Sequence, residues 1–431
     1  MSNKQTSQII FVCDDCGDEF AKWQGKCPNC GAWNTLKEFK TQRQKTKPLE
    51  DLEVVKLSEV KSENFQRIST SFIEVDRVLG GGLVPGSLIL LGGEPGIGKS
   101  TLLLQLAEKM SGTFYVSGEE SAEQIKMRAD RLKLGSKEIN FIAETDVDSI
   151  ISTLLKQKPS LVIIDSVQTM YSENFPSTAG SIVQVRETAL RLQKYAKENH
   201  VPVVLVGHVT KDGTVAGPKT LEHMVDVVLY LEGERFHDLR ILRTTKNRFG
   251  ATDEIGIFEI TGLGLKEVSN PSKVFLAEES ANLPGSVITV TVEGTRPLLV
   301  EIQALVSESS FGYPKRTASG FDLNRLQLIV AILVNRGGLN LNSTDVYLNV
   351  AGGFRLKEPA ADLAVAIAIA SAYKNKNVEK NTVFFGELGL GGEVRPVNFE
   401  SKRLSEAKRL GYKQTIQNKL ISKVLKEAFN V

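Results

Sequence analysis

The chain has 431 residues with 53 basic against 51 acidic side chains, a formal net charge of +2, and only four cysteines. Its length exceeds one typical core and predicts two or three domains, and the near balance of charge excludes a globally basic surface, so any nucleic-acid contact has to be local. The longest apolar runs, 328–334 and 363–372, fall short of the ~20 residues a membrane helix needs; with no signal-peptide pattern at the N-terminus, the expectation is a cytoplasmic chain without a membrane partner.

All four cysteines fall in the first segment, as Cys13-x2-Cys16, ten residues, then Cys27-x2-Cys30, with Gly17 and Gly31 following each pair. Two reduced, unrelated turns are the alternative, but two thiolate pairs at this spacing fit one tetrahedral zinc, and four sulfurs leave no open position for catalysis. Residues 1–40 therefore read as a four-cysteine zinc ribbon of structural role, with Trp23 and Trp33, the only tryptophans, expected to cover the metal. Residues 40–65 are polar, with Lys40, Arg43, Lys45 and Lys47 close together, and 41–65 reads as a solvated linker in preference to a basic arm.

Between 66 and 268, apolar runs at 87–93, 113–118, 161–166, 201–208, 227–233 and 239–245 alternate with helix-like stretches. Continuous β-branched runs of this kind predict an α/β domain whose parallel sheet is covered by helices on both faces. After Pro271 the pattern changes to strands such as 285–294 and helices such as 322–336 and 401–411, which predicts a separate α+β domain over 271–431.

The strongest chemical signal is Gly93-x4-Gly98-Lys99-Ser100, directly after the first apolar run and before a helical stretch. In that context the glycines let backbone amides close around a phosphate at a helix N-terminus. Gly93, Glu94, Pro95, Gly96, Ile97, Gly98, Lys99, Ser100 and Thr101 are the expected ATP-binding residues, with Lys99 bridging the β- and γ-phosphates and the Ser100 hydroxyl ligating Mg²⁺. Asp165 ends another apolar run and is expected to hold the Mg²⁺ through water. Glu119 and Glu120 both stand at the end of a third run, and Glu119 is favoured as the group that orients the attacking water. His208 closes a fourth run, where a γ-phosphate sensor and an ordinary hydrogen-bonded histidine fit equally well.

The stretches "VIIDSVQT", "GHVTKDG" and "AGPKTLEHMVD", with the glutamate-bearing strand end, resemble the RecA-type ATPases, specifically the bacterial RadA (Sms) family. The likeness extends to the four cysteines, to "KNRFG" (246–250) and to the C-terminal domain, and so spans nearly the whole chain. It implies a RecA-like core in a DNA-dependent ATPase that processes recombination intermediates in repair. Such a protein promotes branch migration alongside RecA on single-stranded and branched DNA, as a hexameric ring. Loops at about 169–185 and 210–222 would then face the channel, making Lys211 and Lys219 candidate DNA contacts. The third domain resembles the proteolytic domain of Lon, but Ala360 stands where the nucleophilic serine belongs and Ser401 where the lysine belongs. Without nucleophile or base, acyl transfer has no route. Basic residues there, Lys315, Arg316, Arg325 and Arg355, are open to nucleic acid. A RecA-type fold that serves as an ATP-driven signalling switch without touching DNA is the competing reading.

Lys246 and Arg248 lie two apart, so an extended chain presents both on one face. Chain order puts them at the far edge of the sheet, out of reach of their own γ-phosphate. Ring helicases of the DnaB type carry a Lys-x-Arg pair that reaches the neighbouring subunit's nucleotide, and Lys246-Asn247-Arg248 matches that spacing. An arm contacting DNA phosphates is the alternative.

Overall fold

The structure is a computed structural model that describes residues 8–13, 17–41, 56, 66–135, 139–175, 177–208, 221–233, 238–270, 272, 276, 283–309, 313–413 and 418–429. The chain divides into two compact units, Met1–Glu267 and Val268–Val431.

The N-terminal module is a small antiparallel sheet of β1 (Gln8–Cys13), β2 (Glu19–Phe20) and β3 (Leu36–Thr41), in the order β2-β1-β3. Its core is minimal: Leu36 is buried with Cys13 and Cys27, and Phe11 and Phe20 pack against them. So small a core needs a further tie to be stable.

The larger part of the first unit is built on β4 (Leu88–Gly93), β5 (Thr113–Ser117), β6 (Asn140–Ala143), β7 (Leu161–Asp165), β8 (Val203–His208), β9 (Val227–Glu232), β10 (Leu239–Asn247), β11 (Ile255–Thr261) and β12 (Gly264–Glu267). They form one sheet in the order β12-β11-β10-β9-β4-β8-β7-β5-β6. Every residue of β4 and of β7 is buried, which explains their unbroken apolar sequences: both faces are covered. Alternation divides the burden. Leu88 and Leu90 face a core made with α4 (Val147–Gln157) and α5 (Ile182–Asn199). Ile89 and Leu91 face a second core made with α1 (Ile73–Leu79), α2 (Lys99–Lys109) and α3 (Ala122–Arg131). The run from β9 to β6 is parallel throughout, but β10, β11 and β12 are antiparallel additions. The helix-covered parallel sheet that the sequence predicts is thus present, and it gains an antiparallel extension because short connections after β9 let the chain fold straight back on itself.

In the second unit β13 (Ser286–Glu293), β14 (Arg296–Glu308), β15 (Arg316–Ser319) and β16 (Thr344–Val350) form a sheet in the order β13-β14-β16-β15. Helices described in this unit include α6 (Leu323–Asn335), α7 (Asp362–Lys374), α8 (Glu400–Arg409) and α9 (Ile421–Ala428). Helix α7 is buried continuously from Asp362 to Ser371. Among the described residues no helix is long and apolar enough to cross a membrane.

Candidate nucleotide and metal sites

The 93–98 loop leaves the carboxyl end of β4 and turns directly into α2, whose N-cap is Gly98. A side chain is impossible at Gly93, where a Cβ would lie 2.6 Å from the Leu231 carbonyl oxygen. At Gly96 a Cβ would meet nothing within 4 Å, so the loop is packed on its protein side and open on the other. Lys99 is buried, and its Nζ donates to the carbonyls of Gly93 at 2.8 Å and Glu94 at 3.0 Å. Burial pushes the ammonium pKa down, countered by the charges of Asp165 and Glu119. Those three groups share one electrostatic site.

Strand β8 stands between the loop strand and β7, and its backbone brings His208 into register with Gly93. Nothing is described of the His208 side chain. Asp165, at the end of β7, is buried and accepts a hydrogen bond from the Tyr115 hydroxyl at 2.5 Å. Burial, then the Asp165 charge, drives the Tyr115 pKa well above the usual phenol value, which keeps the phenol a donor. The two glutamates diverge. Glu119 accepts from the Ser166 hydroxyl, next to Asp165, at 2.5 Å. Glu120 is paired with Arg128 at 2.5 Å. The backbone N–H groups of both donate to Ser117 Oγ, so one serine fixes the turn that sends them opposite ways.

A glycine loop backed by a buried lysine, followed by Ser100 and facing Asp165, has the donor set of a Mg²⁺–nucleotide site. The sequence reading missed Tyr115 and Ser166; a lone phenol within the apolar strand β5 is the available signal, since a buried hydroxyl requires a partner.

Lys246 and Arg248 lie elsewhere. Strand β10 runs between β9 and β11, not at the sheet edge as chain order suggested. It is antiparallel to β9, so Asn247 pairs with Val227, which in turn pairs with Ile89 near the start of β4. The motif is thus toward the end of the sheet opposite the phosphate loop, with Asn247 about 13 Å from the level of Gly93 along the strands at ~3.3 Å per residue. A register shift between Thr244 and Lys246 marks a bulge in β10. Lys246 Nζ donates to the carbonyls of Glu222 at 2.7 Å and His223 at 3.2 Å. Arg248 is half exposed and pairs with buried Asp226 at 3.3 Å. The turn is pinned from below: Arg67 donates to the Phe249 carbonyl at 2.5 Å, and Asn247 Nδ2 to that of Leu79 at 3.2 Å. A cleft of about 430 Å³ lined by Glu222, His223, Val228, Tyr230, Thr245 and Lys246 adjoins it.

In the N-terminal module the sulfurs of Cys13, Cys27 and Cys30 lie within 4.8 Å of one another, and Cys13 and Cys30 are 3.7 Å apart. A tetrahedral zinc at ~2.3 Å from each thiolate sets sulfurs roughly 3.8 Å apart, so the spacing fits. Gly17 N–H donates to the Cys13 carbonyl at 2.8 Å, and Gly31 N–H to that of Cys27 at 3.0 Å. Cys16 lies outside the described residues. Trp23 and Trp33 do not cover this cluster: they are 57% and 70% exposed, and Leu36, Phe11 and Phe20 pack there instead.

Of the candidate DNA contacts, Lys211 and Lys219 lie outside the described residues. Lys315 is exposed. Arg316 instead directs its guanidinium to the carbonyls of Lys315, Leu341 and Thr344. Ala360 is buried in the turn Pro359–Ala361, and Ser401 is exposed on α8. Flanking Ala360, Glu358 is bound bidentately by Arg403 at 2.8 and 2.6 Å, and Asp362 by Arg325.

Residues 55–214 match the family described as AAA domain, residues 11–38 the rubredoxin metal binding domain, and residues 324–419 the subunit ChlI of Mg-chelatase. The crystal structure of the RadB recombinase aligns at 25% identity with a TM-score of 0.38, covering 47% of this chain and 99% of that one. The DNA repair protein RadA of Bacillus subtilis is 50% identical over 426 residues, 94% of this chain and 91% of that protein. RadA of Halalkalibacterium halodurans is 49% identical over 427 residues, 96% of this chain and 93% of that protein, and RadA of Aquifex aeolicus is 49% identical over 414, 95% and 93%. The chain belongs to the family of the DNA repair protein RadA.

Proposed function

We infer that this chain is a cytoplasmic, DNA-stimulated ATPase that works as a hexameric ring, promoting branch migration of the strand-exchange products made by RecA. The observation that carries the reading is the convergence of Lys99, Asp165 and Glu119 on one electrostatic site at the carboxyl ends of the strands, with Lys246 and Arg248 at the opposite end of the sheet. A protomer so built has a nucleotide pocket and a pair of cations that cannot serve it. A closed ring resolves this, because each protomer's cations then meet the next protomer's nucleotide.

In this reading the loop of Gly93, Glu94, Pro95, Gly96, Ile97 and Gly98 wraps the phosphates of ATP, its backbone N–H groups donating except at Pro95, which has none and only shapes the turn, with Ser100 and Thr101 at the start of α2. Lys99 turns from the loop carbonyls to the γ-phosphate. Ser100 and Asp165 hold Mg²⁺, which when bound neutralises phosphate charge. Glu119 orients the water, while Glu120 stays with Arg128. Lys246 and Arg248 act on the neighbour's γ-phosphate. Cys13, Cys16, Cys27 and Cys30 hold a structural Zn²⁺. Lys211, Lys219, Lys315 and Arg316 are the proposed contacts to single-stranded and branched DNA, and the Lon-like domain acts without peptide hydrolysis.

Joint molecules made by RecA between circular and linear DNA test the reading. Adding this protein with ATP should lengthen the hybrid DNA, and Lys99→Ala protein should not. A wild-type protein that hydrolyses ATP yet leaves hybrid length unchanged refutes the motor.

A further inference from the structure

The phosphate loop rests on a buried cation that lies outside every motif named above. Arg240, on β10, is 5% exposed. It shares the buried side of that strand with Leu242 and Thr244. Leu242 belongs to the same apolar cluster as Ile97, Leu102 and Leu265, so this is the face that carries α2. Arg240 Nε donates to the Ile97 carbonyl at 3.1 Å, and its Nη1 to the Leu239 carbonyl at 2.8 Å.

The Ile97 carbonyl needs such a donor. The first carbonyl used inside α2 is that of Gly98, taken by the Leu102 N–H at 2.9 Å, so Ile97 stands outside the helical ladder. A buried acceptor left unpaired there would be destabilising. The space for the arginine is also specified: a Cβ on Gly233 would lie 2.6 Å from Arg240 Cδ. A guanidinium is costly to bury unless its N–H groups are used, and this one is used on the loop that receives the phosphates.

We propose that Arg240 is a positioning residue for nucleotide binding. By fixing the Ile97 carbonyl it keeps the loop's N–H groups turned outward and sets a permanent positive charge behind them. The same strand ends at Lys246 and Asn247, so one rigid element touches the protomer's own phosphate loop and carries the cations proposed for its neighbour.

The inference rests on the reading of 93–101 as the ATP site, and the test separates the two. Binding of a fluorescent ADP and steady-state ATP kinetics are measured on full-length Arg240→Met, Arg240→Lys and, as loop control, Gly98→Val. Arg240→Met should weaken ADP binding and raise KM by about tenfold, the worth of one charge-assisted hydrogen bond, with kcat at saturation changed less than roughly threefold. Arg240→Lys should recover part of the affinity, since it keeps the charge without the planar fork. ADP affinity within about twofold of wild type in Arg240→Met, or a fall in kcat with KM unchanged, overturns the inference. If Arg240→Met does not fold, Arg240→Lys decides alone: wild-type affinity there overturns it, and weaker binding at an unchanged melting temperature supports it. ADP binding that survives in Gly98→Val overturns the site reading itself.

Discussion

The Arg248 guanidinium lies 3.3 Å from the Asp226 carboxylate, and the second oxygen of that carboxylate accepts the backbone N–H of Leu88 at 3.0 Å. Leu88 opens the strand that ends in the phosphate loop, so an outward-facing cation and the nucleotide strand share one buried anchor. The Arg248 side chain is 53% exposed against 5% for Asp226: its guanidinium is held on one side by the carboxylate while the rest of it is open to a phosphate from outside.

From this geometry Arg248→Ala should assemble and bind ATP but hydrolyse it about 10³-fold more slowly, the scale of a finger supplied in trans. Mixing it with Lys99→Ala subunits should restore part of the rate, because some interfaces then pair an intact loop with an intact finger. No recovery on mixing, with normal DNA-free ATPase in Arg248→Ala alone, would move these cations from the neighbour's nucleotide to DNA.

The divergence of the two glutamates makes a second prediction. Glu119→Gln should bind ATP normally and lose about 10²–10⁴-fold in turnover, since an amide orients water poorly and takes no proton. Glu120→Gln should lose only its pairing with Arg128 and keep most of the activity. Single-turnover hydrolysis distinguishes them, and the reverse pattern would exchange the assignments.

The Tyr115 hydroxyl has a consequence for the metal. Its bond to Asp165 fixes the carboxylate that is proposed to hold Mg²⁺, and loss of such an outer partner costs about 10–100-fold in metal affinity elsewhere. Tyr115→Phe, which keeps the ring, should therefore raise the Mg²⁺ concentration needed to support nucleotide binding by about tenfold, with metal-free folding intact. An unchanged Mg²⁺ dependence of fluorescent-ADP binding would contradict it.

For the N-terminal module, Cys27→Ser should release the one zinc ion per chain, and residues 11–39 should lose their fold with it, because binding and folding are coupled in so small a core. ATP hydrolysis without DNA should persist. Metal analysis of the intact protein that finds no zinc would contradict the reading.

The phosphate loop was legible because its chemistry lies in backbone spacing, which a glycine pattern records directly. Asp165 was legible because a carboxylate ending an apolar run is out of place unless it has work to do. The Tyr115–Asp165 bond was not: it depends on β5 lying beside β7, with Ser117 opposite Asp165, a relation that local pattern does not contain. The position of "KNRFG" was misjudged for a related reason. Chain order does not give strand order, and the antiparallel return of β10 on β9 carries its last residues back to the start of β4. Arg240 reads in sequence as one more charge in a strand; only the burial of alternate β10 residues on the sheet face shared with α1 and α2, and its bond to the Ile97 carbonyl, show it facing inward. The tryptophans mislead in the opposite direction, since a large apolar residue in a module with almost no interior has nowhere to be buried.

The central claim is that ATP is hydrolysed at the 93–101 loop under the control of DNA. Steady-state ATPase rates of wild type and Lys99→Ala, each with and without single-stranded DNA, test it most directly. Hydrolysis by the wild type should rise on adding DNA, and Lys99→Ala should show no turnover in either condition while keeping its zinc and its fold. A Lys99→Ala protein that hydrolyses ATP near the wild-type rate, or a wild-type rate indifferent to DNA, would contradict the account.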